Sequence, residues 1–245
     1  MPDKAYVVSL GGSLIVPKAG IDWKFLKKFR DLILEEVKAG KKFYLVAGGG
    51  RTARDYIEGA DRVAKLTDDD RDWLGIHATR LNAHLLRTVF RGIACPEIIT
   101  NPEKEICVKG KNKKIIIGSG FRPGNSTDYV AVLIAEKYGV KTIVNLSNID
   151  YAYDRDPNKF PDAKKLKNID WKEFRRIVGN VWRPGLSAPF DPIASRQAEK
   201  LGLEVVIMNG RKLGNLKAFL DSGRFKGTRV VPAKKRGLAD LPHPI

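Results

Sequence analysis

Short apolar runs alternate with longer stretches of helical periodicity along most of the chain. The valine-rich run Ala5–Leu10 ends at a glycine pair, which predicts a buried strand followed by a turn. Apolar positions then recur at helical spacing over residues 22–39, with Asp22 as the expected N-cap and Gly40 as the expected stop. The first half continues with a predicted strand over 43–47 and predicted helices over 51–59 and 68–90.

The second half repeats this alternation. Its predicted strands are 114–117, 141–146, 204–208 and 228–231, and its predicted helices are 126–138, 171–178, 192–201 and 213–220. Loops are expected over 118–125 and 147–164. Strands that alternate with helices favour a mainly parallel sheet covered by helices on both faces. We therefore predict one α/β domain.

Composition narrows the class of protein. The 245 residues are 43% hydrophobic and 30% charged, which excludes a disordered chain and a disulfide mini-protein. The longest apolar runs are too short to span a bilayer, and residues 1–4 lead directly into a strand without a signal peptide. Cys95 and Cys107 form no disulfide framework and are expected to be buried thiols. We expect a reduced, soluble, cytoplasmic protein with no membrane partner.

The net charge of +17 favours anionic partners, which include nucleic acids, phosphorylated metabolites and acidic surfaces. Because the basic residues are spread along the whole chain, they also fit a generally solvated basic surface. No RRM or KH signature and no basic-aromatic stripe is present, which disfavours a nucleic-acid partner.

Three predicted strands end in loops of small residues, at 11–13, 48–50 and 118–120. In open α/β sheets ligands bind beyond the carboxyl ends of the strands, and glycine lets backbone N–H groups approach phosphate oxygens. Glycines also serve tight turns alone, but three such loops together predict a site for several phosphates. Neither a Walker loop nor a GxGxxG fingerprint is present.

Candidate side chains for such a site include Arg51 and Arg54, one helical turn apart after the triple glycine. Arg51 is equally compatible with a solvated helix start. His77 and His84 have no third ligand at suitable spacing, so no metal site is predicted. Phosphoryl transfer requires positive charge, Mg²⁺ and alignment of two substrates, which glycine loops, arginines and one or two aspartates can supply.

Taken together, the motifs resemble the amino acid kinase family, and within it the archaeal-type branch of the uridylate (UMP) kinases. The match extends over residues 5–231 in family order. The motifs that carry it are residues 10–13, 48–54, 72–82, 122–128, 147–150, 153–157, 191–192 and 227–228.

The resemblance implies a three-layer αβα sandwich over residues 1–231, followed by a basic tail over 232–245. Residues 1–140 would form an acceptor-binding lobe and residues 141–231 an ATP-binding lobe. It further implies a homohexamer and transfer of the ATP γ-phosphoryl group to UMP, with Mg²⁺ carried by the ATP.

The resemblance also implies roles for individual residues. The expected catalytic residues are Arg51, Arg54 and Asp128, with Asp128 orienting the cationic groups. The expected ATP-binding residues are Gly12, Ser13, Gly50, Arg54, Ser147, Asn148, Tyr153 and Asp156. The expected UMP-binding residues are Gly49, which contacts the phosphate, Asp72, which contacts the ribose, and Phe121, Arg122, Pro123, Gly124, Asn125, Ser126 and Thr127, which wrap the uridine.

Some of these residues fit structural roles as well. Asp72 and Asp128 lie close to predicted helix starts, so either could be an N-cap. Tyr153 could belong to the core, and Asp156, which precedes a proline, could be a turn residue.

The chain also departs from the family pattern. Arg51 and Arg196 stand where relatives of this branch have lysine, and Tyr151 stands where they have glycine. Arginine keeps the charge but differs in geometry, and Tyr151 adds a side chain beside the expected nucleotide loop. These departures leave two alternatives open: a family enzyme with a different acceptor, and a non-catalytic relative that binds nucleotide or RNA.

Overall fold

A computed structural model describes residues 4–104, 113–157, 159–181 and 188–233. Its strands are β1 (Ala5–Leu10), β2 (Lys42–Ala47), β3 (Ala94–Ile99), β4 (Ile115–Gly118), β5 (Thr142–Ser147), β6 (Ala152–Tyr153), β7 (Lys165–Leu166), β8 (Asn168–Asp170), β9 (Glu204–Asn209) and β10 (Thr228–Val231). Its helices are α1 (Gly12–Ile15), α2 (Trp23–Lys38), α3 (Gly50–Asp61), α4 (Asp68–Val89), α5 (Thr127–Lys137), α6 (Trp171–Val178), α7 (Pro192–Lys200) and α8 (Leu213–Ser222).

The central sheet has eight strands in the order β3-β4-β2-β1-β5-β9-β10-β8. Every neighbouring pair is parallel except β9 and β10. Alternate residues of β1 enter two separate hydrophobic clusters, with Val8 and Leu10 in one and Val7 in the other. Apolar side chains on both faces need a helical layer on each, so the predicted mainly parallel, three-layer αβα architecture is confirmed.

The helix boundaries follow their local sequence signals. The Asp22 side chain accepts a hydrogen bond from the Phe25 backbone nitrogen, and Gly40 follows α2 with a φ of 90°, so both predicted ends of this helix are confirmed. Thr67 and Asp70 form a reciprocal capping box at the start of α4. This cap fixes the start of the 22-residue helix that lies behind the glycine loops.

Several short elements are absent from the sequence prediction. Strand β3 contains Pro96 and the exposed Glu97, which hide its apolar pattern, and it lies at the edge of the sheet, where proline is tolerated. The strands β6, β7 and β8 have only two or three residues each, which is too few to show an alternation of apolar and polar residues. No helix in the described part of the chain combines the length and apolar character that a membrane crossing requires.

Cys95 lies on β3 and is buried. It is disulfide-bonded, so the expectation of a buried thiol is right about burial and wrong about the thiol. The other cysteine, Cys107, lies outside the described residues, as do residues 234–245 of the predicted basic tail. The boundary between two lobes stays a prediction.

Candidate active site

Two of the three glycine loops meet at the carboxyl ends of β1 and β2. A methyl group on Gly12 would come within 1.9 Å of the Gly50 nitrogen, and Gly50 itself has a φ of 65°. Only glycine allows this backbone approach, and only glycine adopts that φ without strain. The Gly48 nitrogen donates to Leu10 O at 2.9 Å, and the Gly11 nitrogen donates to Leu146 O at 2.8 Å. These bonds join the ends of β1, β2 and β5 into one cleft floor.

The third glycine loop also has amides that are bound to protein groups. The Ser119 nitrogen donates to Ile99 O at 2.9 Å, and the Gly120 nitrogen donates to the Thr79 hydroxyl at 2.7 Å. A methyl group on Gly120 would come within 2.8 Å of that hydroxyl. The expectation that all three loops offer amides to phosphate is therefore wrong for these two amides, which bind protein.

Helix α3 begins at Gly50, so its N-terminal end lies at the junction of the two open loops. A helix N-terminus attracts phosphate through its free N–H groups and its dipole. Arg54 is exposed one turn into the helix and makes no ion pair within the described residues. Arg51 instead binds Asp55 at 2.5 Å and Glu58 at 3.1 Å. The two predicted arginines therefore differ: Arg54 is available to an anion, and the charge of Arg51 is already balanced.

The expected acceptor loop, residues 121–127, packs against α4. The Asp72 carboxylate accepts a hydrogen bond from the Gly124 nitrogen at 2.6 Å, and Arg80 Nη2 donates to Phe121 O at 3.3 Å. The Phe121 ring is buried in a core cluster, so this residue offers only its backbone to a ligand. Asp72 thus adjoins the expected acceptor loop, and its binding of the ribose stays a prediction.

Within this loop, the Arg122 guanidinium lies over the Phe121 ring at 4.7 Å and donates to Asn125 Oδ1 at 3.3 Å. Gly124 has a φ of 75°, which forms the turn after Pro123. The Ser126 hydroxyl accepts from the Tyr129 nitrogen and caps α5, whose first residue is Thr127. The loop therefore ends at a helix N-terminus.

Asp128 lies in the first turn of α5 and contacts two groups from distant parts of the chain. It accepts from the Ser9 hydroxyl at 2.8 Å and from the Asp191 nitrogen at 3.2 Å. Burial raises the pKa of Asp128 to about 6, and the Asp191 carboxylate contributes to the rise. Burial also raises the pKa of Asp191, whose Oδ2 is enclosed without a hydrogen-bond partner in the described structure. Within the described residues Asp128 forms no hydrogen bond or ion pair with Arg51 or Arg54, so nothing in the structure supports the expected orientation of these cations by Asp128.

The N-cap alternatives are wrong for both aspartates. Thr67 caps α4 and Ser126 caps α5, and Asp72 and Asp128 lie inside the respective helices. The side chains of Asp72 and Asp128 are therefore not needed to cap the start of a helix.

The expected adenosine-binding residues begin at the last residue of β5 and continue beyond it. Ser147 O accepts from the Gly210 nitrogen at 2.9 Å, and the exposed Asn148 follows it. Asp150 joins the same two loops because it accepts from Asn209 at 3.0 Å and from Lys212 at 2.8 Å. The hydrogen bond from Lys212 is the main reason that the pKa of Asp150 lies below its usual range, and the bond from Asn209 adds to the effect.

Tyr153 and Asp156 lie further along this segment. Tyr153 is half-buried on β6, and Asp156 O accepts from the nitrogens of Lys159 and Phe160 in a turn. The turn role suggested for Asp156 is thus present, while its side chain is exposed on the surface.

The chain departs from the family pattern at two further positions, Tyr151 and Arg196, which lie in different parts of the structure. The Tyr151 ring lies 5.7 Å from the Lys165 ammonium group, and Arg196 is exposed on α7. Neither position belongs to the cleft floor formed by β1, β2 and β5.

A comparison with protein families matches residues 4–209 to the model of the amino acid kinase family. The chain belongs to the amino acid kinase family. A uridylate kinase from Pyrococcus abyssi is 36% identical over 228 residues, which are 92% of this chain and 99% of that protein. A uridylate kinase from Methanospirillum hungatei is 35% identical over 92% of this chain and 94% of that protein. The resemblance inferred from the motifs is therefore confirmed.

Solved structures agree with this assignment at the level of the fold. The crystal structure of uridylate kinase from Archaeoglobus fulgidus has a TM-score of 0.76 and 27% identity, covering 92% of this chain and 99% of that chain. The UMP kinase structure from Bacillus anthracis has a TM-score of 0.74 at 21% identity and covers 94% of this chain and 97% of that chain. Amino acid kinase architecture thus extends across the described residues.

Several polar residues of the site have no role in the sequence prediction. Three of them bind loop backbone around the cleft, namely Thr79, Arg80 and Asn82. The fourth is Asp191, whose nitrogen donates to Asp128 on α5. A signal is present for two of them: Thr79 and Asn82 are polar residues on the inward stripe of α4, among apolar positions such as Ile76 and Leu86. A polar side chain on a buried helix face needs a hydrogen-bond partner.

Proposed function

We propose that this chain transfers the γ-phosphoryl group of Mg-ATP to UMP, giving ADP and UDP for pyrimidine nucleotide synthesis. The observation that carries the proposal is the backbone contact between Gly12 and Gly50, which brings two glycine loops and the start of α3 to one point. Two phosphate groups that meet there would lie close enough to react. Asp72 and the 121–127 loop, which the bond from the Gly124 nitrogen joins, would form the acceptor side of that point.

In the proposed reaction, a UMP phosphate oxygen attacks the γ-phosphorus in line, the bond to the β-phosphate oxygen breaks, and ADP leaves. The protein accelerates this step by alignment and by stabilising negative charge, with no covalent intermediate. Arg54 would bind the phosphates at the transfer point, because its charge is not balanced by another described side chain. Arg51 would act only after leaving Asp55 and Glu58.

The remaining proposed contacts follow the positions of the residues. Gly49 would donate to the UMP phosphate, Asp72 would bind the ribose, and Thr127 would lie near the base. On the donor side, the proposed ATP contacts are those of Gly12, Ser13, Gly50, Ser147, Asn148, Tyr153 and Asp156.

Mg²⁺ belongs to the ATP substrate in this proposal. Within the described residues there is no group of three histidine, cysteine or carboxylate side chains that could hold a metal. We further propose a cytoplasmic homohexamer, in keeping with the resemblance to the uridylate kinases. The net charge of +17 suits substrates that are all anions.

The function is tested by measuring ADP formation from Mg-ATP with UMP, CMP, dUMP, AMP and N-acetylglutamate as acceptors. We expect turnover with UMP well above that with the others. Turnover selective for another acceptor would replace UMP in the proposal. A folded protein that binds nucleotide but turns over none of these acceptors would contradict the kinase function.

Arg54→Ala should lower kcat/KM for UMP phosphorylation at least about 100-fold, because one preorganised charge at the transferred group is removed. Its thermal midpoint should stay near that of the wild type, since Arg54 is exposed. Arg62→Ala, which removes an exposed arginine just after the same helix, is the matched control and should keep full activity. Equal kcat/KM values for the two variants would remove Arg54 from the site.

A further inference from the structure

Helix α4 carries two buried polar side chains that bind the backbone of the glycine loops. The Asn82 amide nitrogen donates to Gly48 O at 2.8 Å and to Gly49 O at 3.0 Å. The Thr79 hydroxyl accepts from the Gly120 nitrogen at 2.7 Å and donates to Ile76 O at 2.6 Å. Asn82 is 2% exposed and Thr79 is 6% exposed, so water does not compete for these bonds.

The two bonds of Asn82 determine where two amide protons point. A trans peptide is planar, so its C=O and the following N–H point in opposite directions. With Gly48 O and Gly49 O turned toward Asn82, the N–H groups of Gly49 and Gly50 point away from α4. Glycine has no side chain to restrict its φ and ψ angles, so without Asn82 the peptide between Gly48 and Gly49 could rotate. The next peptide would be held at Gly49 O only by the longer bond from the Ala53 nitrogen, at 3.4 Å.

The oriented amide of Gly49 is available to a ligand. Its nitrogen donates no hydrogen bond to any atom in the described ranges. It also lies at the N-terminal end of α3, where a negative charge is stabilised. A phosphate oxygen would satisfy this donor.

Thr79 binds the backbone at the start of the expected acceptor loop. Its bond to Gly120 fixes the backbone just before Phe121, where the 121–127 loop begins. Arg80 reinforces this position through Phe121 O, and Asp72 binds the same loop at Gly124. One helix therefore sets the separation between the phosphate-binding amide and the loop expected to surround the nucleoside.

We propose that Thr79 and Asn82 are positioning residues: Asn82 orients the Gly49 and Gly50 amides toward the phosphates of both substrates, and Thr79 places the acceptor loop. This inference rests on the proposed function for the identity of the acceptor. The two residues are expected to affect different substrates. Thr79 should affect UMP alone, because Gly120 adjoins only the acceptor loop. Asn82 should affect both substrates, because Gly49 and Gly50 would lie between them.

The test uses Asn82→Ala, Thr79→Val, Thr79→Ser and the matched control Thr88→Val, which makes the same change at an exposed position of α4. For each full-length variant, calorimetry measures the Kd of UMP and of ATP separately, and steady-state kinetics gives KM and kcat. Thermal midpoints report on folding.

We expect Thr79→Val to raise the Kd of UMP about tenfold, because the Gly120 amide is left buried without a partner, and to leave the Kd of ATP within about twofold. Thr79→Ser keeps the hydroxyl and should restore most of the affinity. Asn82→Ala should raise the Kd of both nucleotides about tenfold. Thr88→Val should match the wild type.

Lower thermal midpoints with unchanged Kd values in Thr79→Val and Asn82→Ala would overturn the inference, since the residues would then only stabilise the fold. Failure of Thr79→Ser to recover affinity would also overturn the role of the hydroxyl. If the wild type does not bind UMP, the proposed function fails separately. The ATP affinities then decide the role of Asn82, because only Asn82→Ala should weaken ATP binding.

Discussion

At the scale of single residues, Asp128 has surroundings that oppose its ionisation. Its carboxyl group is removed from water, and the Asp191 carboxylate lies beside it, while the Ser9 hydroxyl offers only partial compensation. Its folded-state pKa of about 6 lies above the unfolded value of 3.8. Between these pH values the folded chain holds this proton more tightly than the unfolded chain does, so ionisation of Asp128 lowers stability as pH rises toward and past 6.

Asp128→Asn should therefore gain stability relative to the wild type as the pH rises from about 4 to about 7. A pKa rise of this size corresponds to about 2 kcal/mol of relative gain between these two pH values. Urea unfolding of both proteins at the two pH values measures the difference. A difference that is the same at both pH values would show that the Asp128 pKa is not raised.

At the scale of elements, the start of α3 depends on contact between two backbones. The Gly12 loop and the first residue of α3 touch without intervening side chains, and the Arg51 nitrogen donates to Val16 O at 2.9 Å across the same junction. The helix is thereby attached to the β1 loop, which keeps its N-terminal amides at the cleft. By contrast, a methyl group added to Gly59 on the same helix would have no heavy atom within 4 Å.

These two glycines should respond in opposite ways to the same substitution. Gly12→Ala places a methyl group in the Gly50 backbone and should destabilise the protein by about 3 kcal/mol or prevent folding. Gly59→Ala should stabilise the protein by about 0.5–1 kcal/mol, because alanine favours the helix. Chemical denaturation of the two variants measures both effects. Equal stabilities would show that the two backbones separate easily.

At the scale of the whole molecule, α4 contributes to the site with one face and leaves apolar groups on the other. Trp73 is 40% exposed and Leu81 is 61% exposed, and the exposed His77 and His84 lie along the same side. Large exposed apolar side chains on one helix face are typical of an association surface. This face supports the proposed homohexamer, since a second copy of the chain would cover it.

Light scattering after size-exclusion chromatography should give a mass of about six times the 27.3 kDa chain. Leu81→Lys should lower that mass, because a charge would be buried at the proposed contact. A wild-type mass of one chain would contradict the hexamer, and an unchanged mass in Leu81→Lys would place the contact elsewhere.

Local sequence patterns were sufficient to predict the main elements and the family of this protein. Strand and helix periods are local properties, so the long helices and the inner strands could be predicted. The ligand site expected at the glycines of the strand ends stays a prediction. The motif set identified the amino acid kinase family. Short edge strands such as β8 have too few residues to show an alternation of apolar and polar positions, so the sequence did not predict them.

Which groups of the site are available to a ligand depends instead on the tertiary structure. Gly49 and Gly120 are the same residue type, yet the first amide is open and the second is bound to Thr79. Likewise, Arg51 is paired with carboxylates while Arg54 has no ion pair among the described residues, and Asp128 adjoins Asp191, 63 residues away along the chain. Hydrogen bonding and burial depend on partners that the fold brings together from distant positions, and no local pattern specifies them.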